Sequence, residues 1–324
     1  MTGGSGFIGT NVVERLRARG ARVVNLDTTP PRKSDHHDFW RELDLLDAPA
    51  TEAAMRALEP TLVVHLAART DLEGAALADY EVNVAGTRNL VGAAATLERP
   101  PRLIVASTQL VCRSGYQPRA DDDYCPATVY GESKVETEGI VRGASYPGEW
   151  LLVRPTSIWG PWFGVPYRDF FLAVAGGRYL HPAGVRSLKS FGYVENTSHQ
   201  IAALLTASAD SVHGRTFYLA DYEPLELSDW AARIQAALGA PRVRTAPLPL
   251  LRAAATVGDL LRRLGWEGVP LTNFRLDNLV DEMLYDLEET RSVVPELPFS
   301  LDHGVQRTVA WLRDTGALKE ARHK

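Results

Sequence analysis

The sequence predicts an α/β fold in which a doubly wound parallel sheet is followed by a smaller, mostly helical C-terminal lobe. Three observations predict this class. A glycine-rich turn feeds an amphipathic helix at the start of the chain, short apolar runs alternate with helical patterns through the first half, and helical spacing dominates the second half. The predicted domains are 1–160, to which 190–222 returns, and a lobe made of 161–189 and 223–324.

The glycine turn reads T-G-G-S-G-F-I-G. Gly3 allows a tight turn, Gly6 lets the backbone approach a phosphate, and Gly9 lets the helix pack closely on the sheet. Because a helix N-terminus presents free N–H groups and a positive dipole end, this turn is a predicted site for a dinucleotide pyrophosphate. Only two residues precede the turn, so we expect the first strand of the sheet to be missing from this sequence.

The next predicted strand is Ala21–Leu26, which ends at Asp27. An acidic residue about 20 positions after the glycines holds the adenosine ribose through its hydroxyls. A carboxylate there repels a ribose 2′-phosphate, so NAD is favoured, while Arg32 and Lys33 close behind leave NADP as an alternative. Asp44 is placed to reach the adenine amino group with Leu45 against the ring, and an ordinary loop acid beside a core leucine explains that pair equally well.

Two buried strands come next. Thr61–Leu66 and Arg102–Ala106 are continuous apolar runs, typical of strands covered on both faces, and Asp79–Thr96 between them has helical spacing. The small residues Ala67 and Ala68 after the first of these strands let the backbone lie close to a ligand at the carboxyl edge of the sheet.

Tyr130 and Lys134 carry the predicted chemistry. They are four residues apart on a predicted helix, so both side chains leave the same face. A tyrosine with a pKa near 10 is a poor base at neutral pH, but a lysine ammonium and the nicotinamide charge favour the phenolate. Tyr130 would then accept a proton from a substrate hydroxyl that Thr108 orients. A surface tyrosine–lysine pair is the alternative, which the glycine turn and the hydroxyl at the end of the preceding strand disfavour.

The rest of the chain continues the pattern. Ser228 is the predicted N-cap of a helix that stops at Gly239, and Trp159–Tyr167 is a loop rich in aromatic residues, glycine and proline. The remaining predicted elements are strands at Trp150–Arg154, Phe191–Val194 and Thr216–Ala220, and helices at Asp229–Leu238, Leu250–Leu264 and Asp302–Leu312.

Composition restricts the function. The net charge is −5 and 45% of the residues are hydrophobic, which argues against a nucleic-acid or membrane-surface partner because no basic stripe or polybasic block is present. The two cysteines lack metal-ligand spacing, so we expect reduced thiols, no metal site and a cytoplasmic location.

The chain resembles the extended short-chain dehydrogenase/reductase family, the NAD-dependent epimerase/dehydratase group, and within it the nucleotide-sugar 4-epimerases. The residues that carry the resemblance are T-G-G-S-G-F-I-G, Asp27, Asp44-Leu45, His65–Ala68, Asn83–Thr87, Ser107-Thr108, Tyr130–Lys134, Arg154-Pro155 and Tyr193-Val194. It implies bound NAD, a catalytic triad of Thr108, Tyr130 and Lys134, and a homodimer through paired helices. The cofactor contacts it implies are Gly3, Gly6, Phe7, Ile8, Gly9, Asp27, Asp44, Leu45, Leu66, Ala67, Ala68, Asn83, Ser107, Tyr130, Lys134 and Pro155.

The resemblance also bears on the substrate. Members that remove water from a sugar carry an acid pair after the threonine, where this chain has Gln109 and Leu110. Lys189 stands nearest to a family arginine that binds the sugar diphosphate before the strand of Tyr193, and a second family arginine has no counterpart in Asp281–Leu287. The expected substrate-binding residues are therefore Gln109, Lys189 and Tyr193.

These patterns predict an enzyme that oxidises a secondary alcohol of a nucleotide sugar, most simply a sugar 4-epimerase. The alternative is a dehydrogenase or reductase of a steroid-like or other lipophilic alcohol, because the C-terminal tail is similar to 3β-hydroxysteroid dehydrogenase-like members. A third hypothesis, a cofactor sensor or scaffold with a decayed active site, is disfavoured by the intact Thr108, Tyr130 and Lys134.

Overall fold

The computed structural model describes residues 1–266, 269 and 271–320. The chain forms two compact units. The first contains Met1–Ile158, Gly192–Tyr222 and Tyr285–Phe299, and the second contains Trp159–Phe191, Glu223–Leu284 and the residues from Ser300 on.

Strands and helices alternate along the chain. The strands are β1 (Asn25–Asp27), β2 (Trp40–Glu42), β3 (Leu62–His65), β4 (Arg102–Ala106), β5 (Trp150–Pro155), β6 (Ser157–Trp159), β7 (Leu180–Pro182), β8 (Leu188–Lys189), β9 (Phe191–Tyr193), β10 (Thr216–Leu219), β11 (Leu225–Glu226) and β12 (Arg244–Ala246). The α-helices are α1 (Phe7–Ala18), α2 (Ala48–Leu58), α3 (Glu81–Ala95), α4 (Val129–Gly143), α5 (Tyr167–Ala175), α6 (Val194–Thr206), α7 (Ala209–Val212), α8 (Leu227–Leu238), α9 (Leu248–Arg263), α10 (Asn273–Val280), α11 (Glu288–Val293), α12 (Leu301–Asp314) and α13 (Ala317–Glu320).

A parallel sheet forms the first unit and confirms the predicted fold class. Strands β3, β4, β5 and β10 pair in that order, and β1 pairs with β2 beside them, all in parallel. Their carboxyl ends therefore meet at one edge, which is where ligands bind in open α/β sheets.

The position between β1 and β3, where we expected a missing strand, is held by Met1 and Thr2. Thr2 makes isolated parallel bridges to Leu26 of β1 and to His65 of β3. Its N–H donates to the carbonyl of Val64 at 2.9 Å, and its carbonyl accepts from the N–H of Leu66 at 3.1 Å. These two residues join β1 to β3 just before the glycine turn, so the turn lies at the carboxyl edge of the sheet.

The strands of this sheet alternate between two apolar layers. Ile104 packs with α1 and α6 on one face, whereas Leu103 and Val105 pack with α2, α3 and α4 on the other. Both faces are covered, which explains why β3 and β4 read as continuous apolar runs. Burying each such side chain contributes about 1.5–3 kcal/mol.

The second unit is built around aromatic side chains rather than a large sheet. Trp230 of α8 stacks on Phe170 with ring centroids 4.8 Å apart and packs against Trp159 at 5.3 Å. Two small pairs of strands accompany this cluster: β7 with β12 in parallel, and β8 with β11 antiparallel.

Two sequence expectations differ in detail. The N-cap of α8 is Glu226 rather than Ser228, because the Glu226 carboxylate accepts the N–H groups of Ser228 and Asp229 at 3.2 and 3.0 Å. The strand predicted over 21–26 is β1, which covers only Asn25–Asp27. Among the described residues, β1 pairs with β2 and with the short Met1–Thr2 segment. The first residues of the predicted strand therefore lie outside the paired region.

Candidate active site

The glycine turn is shaped by close backbone contacts. Gly3 has φ of +71°, and a Cβ added there would lie 2.4 Å from the backbone nitrogen of Ala67. A Cβ on Gly9 would lie 2.0 Å from the carbonyl oxygen of Gly3, so the helix can pack on the turn only with glycine there. At Gly6 an added Cβ would lie 3.3 Å from the carbonyl oxygen of Gly3, which is still a tight contact. The turn therefore leaves least room at Gly3 and Gly9 and slightly more at Gly6.

Helix α1 begins directly after Gly6. Its N-cap is Gly6, and the N-cap residue makes no side-chain hydrogen bond to its first turn. Phe7 and Ile8 occupy that first turn and are half-buried. A helix start that follows a glycine and lacks a side-chain cap fits the pyrophosphate of a dinucleotide, because an anion satisfies the first N–H groups of a helix.

Two side chains of β1, at its first and last residues, hold the glycine turn. Asn25 is fully buried; its Oδ1 accepts from the N–H of Gly4 at 2.8 Å, and its Nδ2 donates to the hydroxyl of Ser5 at 3.0 Å. The carboxylate of Asp27 accepts from the N–H of Ser5 at 3.0 Å. The predicted ribose-binding acid is thus fixed in orientation by the turn itself.

The end of β3 is anchored to the neighbouring helices. His65 is buried between the hydroxyls of Thr2, 2.7 Å from Nδ1, and Thr87, 3.0 Å from Nε2. Burial lowers its pKa to about 3, so the ring is neutral. Leu66, Ala67 and Ala68 follow, half-buried, along the edge of the sheet.

Asn83 links that edge to the helix that carries Tyr130. It is fully buried, and its amide accepts from the N–H of Arg69 at 2.8 Å and donates to the carbonyl of Arg69 at 3.0 Å. The same Nδ2 donates to the hydroxyl of Ser133 at 2.9 Å. Asn83 therefore links the segment after β3 to α4, and its predicted contact with the cofactor stays a prediction.

Tyr130 and Thr108 come together at the carboxyl edge of β4. Tyr130 lies in the first turn of α4, is buried, and packs against the ring of Tyr80 with centroids 5.9 Å apart. Burial raises its pKa to about 12, and a hydrogen bond with Thr108 acts in the opposite direction. The phenol is therefore protonated at neutral pH in this structure and can donate a proton.

Lys134 lies one turn further along α4, at the same sheet edge. Its Nζ donates to the carbonyl of Ala106 at 2.8 Å, and burial lowers its pKa to about 8, against an opposing effect of Glu138. The ammonium is bound to the backbone rather than to the phenol, which explains why burial dominates the pKa of Tyr130. The expectation that Lys134 favours the phenolate needs an added positive charge near the ring.

Two buried polar atoms in the segment after β4 lack hydrogen-bond partners among the described residues. The hydroxyl of Ser107 and the Oε1 of Gln109 are buried without a hydrogen bond, although the Nε2 of Gln109 donates to the hydroxyl of Ser157 at 3.3 Å. Both atoms follow β4 directly. Unpaired buried polar atoms are costly, so they are available to a ligand at this edge.

Other predicted cofactor residues have more ordinary surroundings. Asp44 is exposed and accepts from the N–H of Leu46 at 2.9 Å, whereas Leu45 is buried and packs against Gly86 of α3. Pro155 ends β5 opposite Leu219 of β10. Leu45 belongs to the apolar core, so its buried side chain contributes to stability whether or not it contacts an adenine.

The predicted substrate residues fall in different units. Tyr193 is buried in the first unit, and its hydroxyl donates to the carboxylate of Glu195 at 2.8 Å. Lys189 is buried in the second unit and donates to the carbonyl of Asp281, and burial lowers its pKa to about 8 while Asp281 and Glu282 raise it. Both side chains are thus engaged with protein groups.

Sequence reasoning missed several residues that build this edge. Gly131 is one of them, because a Cβ there would lie 2.3 Å from the carbonyl oxygen of Leu110, so glycine lets α4 approach the turn after Thr108. Tyr80, Asn25 and Glu138, the buried partner of Arg154, are others. A hydrophilic residue within an apolar strand signalled Asn25, whereas the contacts of Tyr80 depend on residues distant in sequence.

The described residues contain no group of three or more histidine, cysteine or acidic side chains placed to hold a metal ion. They also contain no helix that combines the length and apolar character needed to cross a bilayer.

The chain is similar to known proteins of one enzyme family. Residues 1–220 match the model of the NAD dependent epimerase/dehydratase family. A 3-beta-hydroxysteroid dehydrogenase of Mycolicibacterium neoaurum is 28% identical over 289 residues, which cover 82% of this chain and 75% of that protein. The N-acetyl-alpha-D-glucosaminyl-diphospho-ditrans,octacis-undecaprenol 4-epimerase of Escherichia coli O157:H7 is 23% identical, with 96% of this chain and 94% of that protein covered.

Among solved structures, UDP-glucose 4-epimerase of Thermus thermophilus in complex with NAD has a TM-score of 0.71 at 21% identity, covering 96% of this chain and 97% of that one. A likeness at this level of identity shows the shared fold.

Proposed function

The chain belongs to the NAD dependent epimerase/dehydratase family, and from that premise we propose that it interconverts a secondary alcohol and a ketone, with Tyr130 as the acid–base group. The observation that carries the proposal is the buried pair of hydroxyls on Tyr130 and Thr108, with Lys134 one turn away, at the carboxyl edge of β4.

NAD is the cofactor of this family, and the residues present fit it. The glycine turn and the start of α1 without a side-chain cap suit the pyrophosphate, and Asp27, held by the N–H of Ser5, suits the ribose hydroxyls. When bound, the cofactor supplies the hydride acceptor or donor.

The chain's own residues would transfer the proton. Tyr130, protonated here, donates to the carbonyl oxygen when a ketone is reduced and accepts the hydroxyl proton in the reverse direction. Thr108 hydrogen-bonds the same phenol and orients it, and the unpaired hydroxyl of Ser107 beside it is available to a bound group. The ammonium of Lys134 would stabilise the phenolate only together with the positive charge that the bound cofactor adds near the ring.

The surroundings of Lys189 favour a lipophilic alcohol or ketone over a nucleotide sugar. A diphosphate needs accessible cations, whereas Lys189 is buried on the carbonyl of Asp281, and the carboxylates of Asp281 and Glu282 lie close enough to raise its pKa. These carboxylates would repel a diphosphate. The name of the M. neoaurum relative, a 3-beta-hydroxysteroid dehydrogenase, supports the same substrate class.

A nucleotide-sugar 4-epimerase is the second candidate. It is favoured by the position of Lys189 relative to the family arginine and by the name of the E. coli relative, a 4-epimerase of a diphospho-linked sugar. Gln109 and Leu110 occupy the place of the dehydratase acid pair, so elimination of water is disfavoured. The family resemblance predicts a homodimer for both candidates. Sedimentation equilibrium, which measures the oligomeric state, tests this prediction.

The test is the absorbance of reduced nicotinamide after the purified protein and NAD receive either a panel of hydroxysteroids and long-chain secondary alcohols or a panel of UDP-, GDP- and dTDP-sugars. We expect lasting reduction of NAD with a lipophilic alcohol and none with the Tyr130→Phe variant. An epimerised sugar without net reduction of NAD would replace the first candidate with the second. Binding of NAD without turnover of either panel would contradict both.

A further inference from the structure

Helix α9 of the second unit has two apolar faces, and only the smaller one is covered. Leu251, Ala255 and Gly258 lie on the buried face, which packs against Leu276 of α10. A Cβ on Gly258 would lie 1.9 Å from the carbonyl oxygen of Leu271. This close backbone approach fixes the helix about its own axis, so the other face cannot rotate inward.

The outward face forms an apolar stripe along the whole helix. With 100° between successive residues, the stripe covers an arc of about 120°. Its members are Leu250, Ala253, Ala254, Val257, Leu260, Leu261 and Leu264. All are exposed except Leu261, which is half-buried. Leu250, Val257 and Leu260 are 63%, 57% and 56% exposed, so the larger apolar face of α9 meets solvent.

Two exposed aromatic side chains lie near α9 in the sequence. Trp266, just past the end of α9, and Phe274 in the first turn of α10 are 64% and 65% exposed. Exposed apolar surface like the stripe of α9 marks a site of interaction with another molecule or with a membrane.

The charge on α9 differs from that of the whole chain. The chain carries a net charge of −5, but α9 has three arginines and one aspartate. Arg262 and Arg263 are exposed in its last turn, beside the end of the stripe, and Arg252 pairs with Asp277. An apolar stripe on one face, arginines outside that face and a tryptophan at the end of the helix are typical of a helix that lies in the interface of a bilayer.

We infer that α9 docks the second unit on an anionic lipid surface, with its apolar stripe in the headgroup–acyl boundary and Arg262 and Arg263 against the lipid phosphates. A second copy of this chain is the other occupant that the test below distinguishes. The net charge of the whole chain argues against binding to a membrane surface, but it does not reflect the local positive charge of α9.

The inference does not depend on the proposed function, although a surface of this kind would bring the enzyme to a lipophilic substrate. The experiment is therefore a binding assay without substrate or NAD. The full-length protein is sedimented with vesicles of phosphatidylcholine alone and with vesicles of equal parts phosphatidylglycerol and phosphatidylcholine. The test variant is Val257→Asp/Leu260→Asp, and the matched control is Leu72→Asp/Leu77→Asp, which adds the same charge at exposed leucines of the first unit.

We expect binding to the anionic vesicles that weakens with added salt, about tenfold or greater loss of partitioning in the Val257→Asp/Leu260→Asp variant, and retained binding in the control. Circular dichroism checks that both variants fold. Three results would overturn the inference: a wild-type protein that stays in the supernatant, equal losses in both variants, or concentration-dependent self-association that the α9 variant abolishes without any lipid binding.

Discussion

Two buried lysines, one in each unit, have the same ionisation and different surroundings. The Nζ of Lys134 donates to the carbonyl of Ala106, and the Nζ of Lys189 donates to the carbonyl of Asp281. Burial lowers the pKa of each to about 8. Burial and pKa alone therefore do not show which of the two lysines takes part in catalysis.

Their neighbours distinguish them. Lys134 shares one helix with Tyr130, whose phenol bonds the hydroxyl of Thr108 at the edge of a sheet where buried polar atoms remain unpaired. Lys189 lies in a strand flanked by backbone, opposite Leu225 on one side and Met283 on the other. A perturbed lysine therefore indicates chemistry only where groups able to transfer a proton accompany it.

The largest effect is expected from Tyr130→Phe, which removes the acid–base hydroxyl and keeps the ring against Tyr80. We expect kcat to fall by about a thousandfold, within the range for losing a general acid–base group, with NAD affinity nearly unchanged. Stopped-flow absorbance and fluorescence titration with NAD measure the two quantities. A variant that retains a tenth or more of the activity would remove Tyr130 from the proposed chemistry.

Gly131→Ala tests whether the geometry around Tyr130 and Lys134 depends on backbone proximity. The added Cβ would lie 2.3 Å from the carbonyl oxygen of Leu110, so α4 must shift away from the turn after Thr108. We expect kcat to fall about ten- to a hundredfold, because small displacements of reacting groups are costly. The free energy of unfolding should fall by about 1–3 kcal/mol.

Gly139→Ala on the same helix is the matched control, since an added Cβ there has no atom within 4 Å. We expect kcat to stay unchanged and the free energy of unfolding to rise by up to about 1 kcal/mol from better helix propensity. Equal losses of activity in the two variants would show that α4 tolerates no change, rather than that Gly131 positions Tyr130.

Much of the first unit could be predicted from the sequence because its signals are local. The glycine spacing, the four-residue spacing of Tyr130 and Lys134, and the apolar runs of β3 and β4 each constrain neighbouring residues directly. The NAD-binding fold class and the enzyme class followed from these signals and are confirmed by the family match.

The remaining features depend on contacts between distant segments. Asn25 holds Gly4, some 20 residues earlier in the chain, and Glu138 pairs with Arg154 across two elements. The exposed stripe of α9 could not be inferred either, because periodicity shows that a helix has an apolar face but not which face is covered. Short-range sequence patterns do not predict any of these features.

The smallest effect on activity is expected from Lys189→Met, set against Lys134→Met. If Lys189 is structural, as its backbone partners indicate, kcat/KM for a lipophilic alcohol should change less than about threefold, whereas Lys134→Met should cost about a hundredfold or more.

Stability against pH gives the second readout for this pair. Each lysine has a pKa of about 8 when folded against an ordinary value of 10.5, so the unfolded chain binds more protons between these values. The free energy of unfolding contributed by each lysine therefore rises with pH across that window and is lowest below pH 8, by an amount of order 1–3 kcal/mol. Lys189→Met should flatten this rise in urea titrations with little change in activity, and Lys134→Met should flatten it together with the large loss of activity. A Lys189→Met enzyme whose KM for a nucleotide sugar rises more than about tenfold would instead make Lys189 a diphosphate ligand, and would require the ammonium to leave the Asp281 carbonyl on binding.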